Sequence, residues 1–273
     1  MILFTSDLDR TLIYSSRMIE AYPVLGRIRI VEKKEGKTIS YMSEEAIQLL
    51  QSFHQEHLFV PVTTRALHQY KRIQFFQEEL QPKYAITSNG GTILINGKVD
   101  EDWRKLLHDR ISHSSIVEKE VLKLFAELRH SNWVESEHYV DQSFFMFRIN
   151  RELMPTDEMD EFSTILNKNG WKLYLHGTKL YMLPIHLTKE NAITQLKEYV
   201  DFDFQVAGGD SVMDYDMLCG STISYSFKHG DLFKEKGHDN HIQWIEQLGI
   251  HAAEELLTNL LNFTTDKTKA PNL

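Results

Sequence analysis

The stretch I-L-F-T-S-D-L-D-R-T at residues 2–11 runs for five residues without a charge and then turns acidic. A short uncharged run ending in acids suits a strand buried inside a parallel sheet, which delivers side chains at its carboxyl end. Asp7 and Asp9 lie two apart, so in extended backbone they point the same way. Two carboxylates on one side repel unless a cation or a shared proton relieves them. A magnesium site with an acid/base partner can be built that way. An exposed Asp pair can equally cap a turn, and the pair alone does not decide between the two.

Working outward, H-L-F-V-P-V-T-T-R (57–65) and Y-A-I-T-S-N-G-G (84–91) read as two more strands that end in small polar residues. A helix is expected after Ser43, which looks like an N-cap followed by Glu44 and Glu45, carrying Ala46, Ile47, Leu49, Leu50 and Phe53, and another around 67–80. Residues 27–42 alternate on both sides of Glu35-Gly36 and read as a β-hairpin. From Thr188 the strand–helix alternation returns: helix 189–199, strand 203–207, helix from about 214, strand 222–227 and a long helix at about 239–262.

The middle of the chain has another texture. It reads as a hairpin through Asn96-Gly97, a helix over 115–129, two strands, a helix at about 156–168 and a hairpin around Gly177. That order describes a small antiparallel sheet with helices on one face. The expected fold is therefore α/β, a doubly wound, Rossmann-like parallel sheet with an inserted α+β cap. Residues 1–91 and 187–273 make the core, 92–186 make the cap, and the polar tail from about 264 is expected to be disordered. Ligands bind at the carboxyl edge of such sheets.

Further candidates gather at the same edge. Asp210 and Asp214 sit in G-G-D-S-V-M-D (208–214), and a spacing of four returns Asp214 toward Asp210 if a helix begins there. Lys189 follows the N-cap candidate Thr188, where a cation opposes the helix dipole. Such local violations tend to mark functional positions, although a lysine there can also simply reach into solvent. Thr63 and Thr64 end the second strand as caps or as phosphate-binding hydroxyls.

Together these pieces resemble the haloacid dehalogenase-like hydrolases. D-L-D-R-T (7–11) matches the first motif, V-P-V-T-T-R (60–65) the second, L-T-K-E-N-A (187–192) the third and G-G-D-S-V-M-D (208–214) the fourth. S-N-G-G (88–91) further resembles the subgroup with a large α/β cap, which includes sucrose-phosphate phosphatases, Cof-type sugar phosphatases, mannosyl-phosphoglycerate phosphatases and phosphomannomutases. The resemblance implies that Asp7 attacks phosphorus and becomes an aspartyl phosphate, and that Asp9 serves as acid and then base. It implies that Thr63 binds the phosphoryl group and Lys189 offsets charge. Mg2+ would be held by Asp7, Asp210, Asp214 and the backbone carbonyl of Asp9. Arg10, Thr64, Arg65, Asn89 and Gly90 in or beside these motifs, with Arg148 and Lys179 of the cap, are placed at the substrate. The chain departs from the pattern at Arg10, Thr64 and Glu190, where the family often has Gly. The hairpin at 27–42 falls where the superfamily places its flap, and is expected to lean over the cleft.

Composition bounds the rest. A formal net charge of -9 disfavours nucleic acid as a partner, and no apolar run approaches a membrane span. One cysteine, Cys219, permits no internal disulfide and fits a reducing, cytoplasmic setting; its apolar surroundings suggest a small core residue. The expected activity is a phosphatase on a small phosphorylated metabolite, plausibly a sugar phosphate. A phosphomutase with the same nucleophile and a non-catalytic phospho-ligand module are the alternatives, and an oligomeric partner is left open.

Overall fold

The computed structural model describes residues 1–269. Strand β1 (Ile2–Ser6) is followed by a short β2 (Tyr14–Ser15), helix α1 (Ser16–Ala21) and the hairpin β3 (Ile28–Lys34) and β4 (Lys37–Ser43). Helix α2 (Glu44–Glu56) starts where expected: Ser43 Oγ accepts from the Ala46 amide at 3.1 Å, and Ala46, Ile47, Leu50 and Phe53 share its buried face. Strand β5 (Leu58–Pro61) comes next. The helix expected over 67–80 is broken into α3 (Leu67–Tyr70) and a π-helical turn at Phe75–Glu79. Strand β6 (Tyr84–Thr87) ends in a tight turn at Ser88–Gly90.

Next come β7 (Thr92–Ile95), β8 (Lys98–Val99) and α4 (Glu101–Ser114), a helix that hydrophobic spacing does not announce because only Trp103 and Leu107 are buried. Helix α5 (Glu118–Ala126), strands β9 (Val134–Val140) and β10 (Phe144–Ile149), helix α6 (Thr156–Lys168) and the hairpin β11 (Trp171–His176) and β12 (Lys179–Pro184) follow. They form an antiparallel sheet in the order β11-β12-β10-β9. One face of that sheet packs on α5 and α6 through Phe125, Phe147, Phe162 and Trp171.

The last part contains α7 (Lys189–Leu196), β13 (Phe204–Gly208), α8 (Tyr215–Cys219), β14 (Ile223–Phe227), α9 (Asp231–Lys236), β15 (Ile242–Ile245) and α10 (His251–Lys269). Three expectations are corrected here. The long helix at 239–262 is a strand plus a helix that begins only at His251, after Gly249 at φ 61°. The tail expected to be disordered continues α10 through Lys269; residues 270–273 lie outside the described residues. Cys219, expected in the core, is exposed.

Five parallel strands build the central sheet in the order β15-β14-β13-β1-β5, and β6 joins through a parallel bridge of Val62 and Ile86. Helices α2 and α10 cover one face, where Phe4, Leu50, Phe53, Leu256 and Leu260 are buried together. The other face carries Leu3, Val60, Leu196 and Ala207 with Trp103, and also Phe144 and Tyr181 from the second sheet. Burying each such side chain is worth about 1.5–3 kcal/mol. The parallel core with its added antiparallel sheet is the fold expected from the sequence. The second sheet sits against the core at two ends. Asp141 Oδ2 accepts from the Leu67 amide at 2.7 Å and from Ser88 Oγ, and His176 Nδ1 lies 2.6 Å from Asp231.

Candidate active site

Strand β1 is flanked by β13 and β5, so its carboxyl end stands in the middle of the sheet. The Asp7 amide still donates to the Gly208 carbonyl at 2.8 Å, which fixes Asp7 as the first residue beyond the strand. From β13 the chain turns through Gly209, whose Cα faces the Asp214 side chain so closely that a Cβ would not fit. Asp210 and Asp214 are thereby folded back toward Asp7. Carboxylate oxygens of the three residues lie within 4.8 Å of one another, and all three residues are buried. Asp214 Oδ2 accepts from the Ser211 amide and hydroxyl at 2.9 and 3.0 Å, leaving Oδ1 for the centre.

Lys189 enters from the first turn of α7. Thr188 caps that helix by accepting from the Asn191 amide at 3.1 Å. The ammonium, 1% exposed, donates to Asp7 Oδ1 and to Asp214 Oδ1, each at 2.5 Å. The turn Ser88–Gly90 sets how closely α7 approaches. Asn89 is buried and its amide donates to the Leu187 carbonyl at 3.0 Å, while Gly90, at φ 99°, abuts the Thr188 carbonyl. These two residues brace the start of α7; they do not line the cleft. Thr63 is fully buried and accepts from the Arg65 amide at 3.1 Å.

Arg10 adopts φ 64°, the left-handed conformation that explains why Gly is frequent at this place in related motifs. Its Nη2 donates to the His229 carbonyl, and His229 Nε2 lies 2.8 Å from the Arg10 carbonyl. Its Nε stands 3.3 Å from Asp210 Oδ2. That oxygen is buried and has no hydrogen-bond partner.

The electrostatics follow from crowding. Burial pushes the Asp7 carboxyl up to about 7 against the pull of Lys189, and Asp214 and Asp9 add to the rise. Burial raises Asp210 well above the carboxylate range too, against Arg10. Lys189 is desolvated, yet Asp214 and Asp7 together raise it above an ordinary lysine. Burial also acts on Asp9, but the charge and hydrogen bonds of Arg65 prevail and hold its carboxyl below its usual range. A hard, oxygen-only donor set with one orphaned carboxylate oxygen fits a divalent cation of the magnesium kind. Among the described residues this is the one cluster of acidic, His or Cys groups close enough to hold a metal.

A cleft of about 690 Å3 opens between the second sheet, the hairpin and the motif residues, lined by Asp9, Lys34, Thr64, Arg65, Lys179 and Tyr181 among others. Lys179 is among the residues that line this cleft. Arg148 lies beside it in register, but is exposed, ion-paired with Glu135 at 3.1 Å and outside the cleft lining. Arg65 is bound up with Asp9 and with Glu32, a hairpin carboxylate that reading the sequence passed over as one of a row of surface charges. Asp231, Tyr181 and His229 also surround the site without any signal in a sequence motif.

An acid-ended parallel strand, a buried lysine shared between two carboxylates and a lid over the carboxyl edge together define a haloacid dehalogenase-like hydrolase of the capped kind. A family model for sucrose-6F-phosphate phosphohydrolase matches residues 1–247. The chain belongs to that family, and is a phosphoric monoester hydrolase. No curated protein matches it in sequence. Among solved structures it is similar to the sucrose-phosphatase from Synechocystis sp. PCC6803, solved with sucrose and phosphate (TM-score 0.68, 16% identity, 96% of this chain and 98% of that one). It is also similar to a HAD subclass IIB sugar phosphatase (TM-score 0.63, 12% identity, 97% and 99% coverage). A HAD-superfamily phosphatase from Bacteroides thetaiotaomicron is a third (TM-score 0.55, 15% identity, 97% and 95% coverage). No helix among the described residues is long and apolar enough to cross a membrane.

Proposed function

We propose that the chain is a magnesium-dependent phosphatase that hydrolyses a small phosphorylated metabolite, a sugar phosphate, through an aspartyl-phosphate on Asp7. The observation that carries this reading is the Lys189 ammonium 2.5 Å from both Asp7 and Asp214, with Asp210 in the same buried cluster. Such an arrangement holds a carboxylate as a nucleophile and balances a phosphoryl dianion next to it. In the first step an Asp7 oxygen forms a bond to phosphorus while the ester P–O bond breaks. Asp9, the motif acid that lines the cleft, is paired with Arg65 in the free protein, and it gives a proton to the leaving oxygen once the phosphoryl charge has drawn Arg65 off it and raised its carboxyl. In the second step Asp9 takes a proton from water as that water attacks phosphorus, and the Asp7 carboxylate is released. Thr63 binds the phosphoryl oxygens, and Lys189 offsets the combined negative charge. Magnesium held by Asp7, Asp210, Asp214 and the Asp9 carbonyl would neutralise the phosphoryl charge.

Thr64, Arg65 and Lys179 face the bound ester in this reading, Arg10 steadies Asp210, and Asn89 and Gly90 act by placing Lys189. The cleft suits a polar, hydroxyl-rich organic group next to the phosphate. The family and the sucrose-phosphatase resemblance support a sugar phosphate. The reading also divides the chain into a core of 1–91 and 187–273 and a cap of 92–186, in a reducing cytoplasmic setting that the single Cys219 suits. The separate cluster around Phe125 and Phe147 supports a cap with its own core, although Trp103 packs with the core-side cluster. The test is phosphate release from a panel of phosphorylated metabolites with magnesium and with chelator. Release from none of them, or undiminished release after exhaustive chelation, rejects the reading.

A further inference from the structure

The cleft beside the motif residues holds more positive charge than its own acids absorb. Its arginines are engaged: Arg65 pairs with Asp9 and Glu32, and Arg72 pairs with Glu32, whose carboxylate is fully buried. Its remaining acids are engaged as well. Glu137 pairs with Arg129, and Asp141 accepts from the Leu67 amide and from Ser88 Oγ. Two lysines are left over in the lining, Lys34 at the end of β3 and Lys179 at the start of β12. Neither ammonium has a hydrogen bond or an ion pair among the described residues.

The register of the second sheet shows where Lys179 stands. Along β12, Leu180 and Met182 point into the cluster around Phe125, so Lys179 and Tyr181 share the opposite face, and both line the cleft. Tyr181 is buried with Val60 and Leu187 of the core. Lys179 lies two residues further along the strand, roughly 7 Å away. It is still near enough to Asp9 for its charge to favour the ionised carboxyl. Lys34 reaches the same cavity from the hairpin. In a protein of formal net charge -9, two uncompensated lysines on one cavity keep a local positive potential that draws anions in.

We propose that Lys34 and Lys179 receive a second anionic group of the substrate, a carboxylate or a phosphate, beyond the phosphate that is cleaved. The substrate is then a phosphorylated sugar acid or a polyol bisphosphate rather than a neutral sugar phosphate. A neutral sugar leaves both ammoniums without a counter-charge, whereas a second anion gives them charge-assisted hydrogen bonds. This inference deepens the phosphatase reading and rests on it.

The test keeps the cleaved phosphate and changes only the far end of the substrate. With magnesium present, kcat/KM is measured on glycerol 3-phosphate, erythritol 4-phosphate and glucitol 6-phosphate. Each is compared with its acid (3-phosphoglycerate, 4-phosphoerythronate, 6-phosphogluconate) and with the bisphosphate of the same polyol. Hydrogen bonds to charged groups are worth about tenfold or more, so in at least one of the three sets the acid or the bisphosphate is expected to exceed the alcohol by at least about tenfold. Whichever of the two gains more identifies the anion received. The double variant Lys34→Gln, Lys179→Gln is expected to bring that ratio to within about threefold of one, by removing both charges. Alcohols cleaved as well as their acids and bisphosphates in every set overturn the inference, and so does an excess that survives in the double variant. A wild type that releases phosphate from other esters but from none of these overturns the inference alone. One that releases phosphate from no ester overturns the phosphatase reading with it.

Discussion

Lys189 stands in the first turn of a helix, where its charge opposes the dipole, and it is buried; the carboxylates of Asp7 and Asp214 make that placement tolerable. The same crowding makes Asp7 the residue with the sharpest expected phenotype. In the proposed mechanism Asp7→Asn removes the nucleophile while nearly keeping its shape, so turnover is expected to fall by at least about 10²-fold while the melting temperature stays at or above that of the wild type. Phosphate release and melting measured on one preparation check this; activity within tenfold of wild type would exclude Asp7. The pH dependence has a definite sign. Folding raises the Asp7 carboxyl from 3.8 to about 7, so its contribution favours the folded state at low pH and is lost as pH rises through about 7. A cation that binds the ionised cluster restores what is lost. The rise in melting temperature on adding magnesium is therefore expected to be larger at about pH 8 than at about pH 5.5, and an equal rise would contradict it. At this scale the sequence was legible where a residue follows a strand end or breaks a local rule, as Asp7, Asp210 and Lys189 do. It was silent about His229, Tyr181 and Asp231, whose places are set by packing alone.

Elements were legible in proportion to how much of their side-chain pattern faces one layer. Helix α2 buries four residues at helical spacing behind a serine cap, and its start falls where expected. Ser43→Ala is expected to cost about 1 kcal/mol of stability by leaving the Ala46 amide without its side-chain acceptor, measurable by denaturant titration, with catalysis unaffected. Helix α4 buries only Trp103 and Leu107, too sparse a stripe to show as a period, although Asp100 caps it through the Asp102 and Trp103 amides. Strand β15 has only four residues between polar stretches, and its apolar residues merge with those of α10 into one apparent helix. The hairpin β3–β4 was legible as a hairpin but not in its facing. Strict alternation puts Ile30 and Glu32 on one face, while the irregular pairing separates them and leaves Ile30 40% exposed and Glu32 fully buried. Charge in a strand reads as solvent-facing unless its partners are known, and Arg65 and Arg72 lie more than thirty residues away along the chain.

For the whole molecule, one of the contacts that hold the second sheet over the core responds to pH. The Asp231 hydrogen bond raises His176 above an ordinary histidine, against burial, so the pairing stabilises at low pH and is lost as pH rises through the raised value. Hydrogen exchange is expected to give Trp171–Pro184 a smaller opening free energy at about pH 9 than at about pH 6, and His176→Gln is expected to remove the difference. A difference that survives the substitution would assign the effect elsewhere. The placement of β1 has a further consequence for how the molecule comes into being. Its two neighbours are β5, made soon after it, and β13, whose Val206 carbonyl meets a side chain 201 residues earlier, at Thr5. A growing chain must therefore carry its central strand half-paired, with one edge open, through most of its synthesis. Pairings of such long sequence separation are slow to form, and unpaired edges invite association with other chains. The carboxylates of Asp7, Asp210 and Asp214 can gather only in the final stage of folding, so a nascent chain that stalls before residue 204 presents a sticky edge and an unassembled cluster.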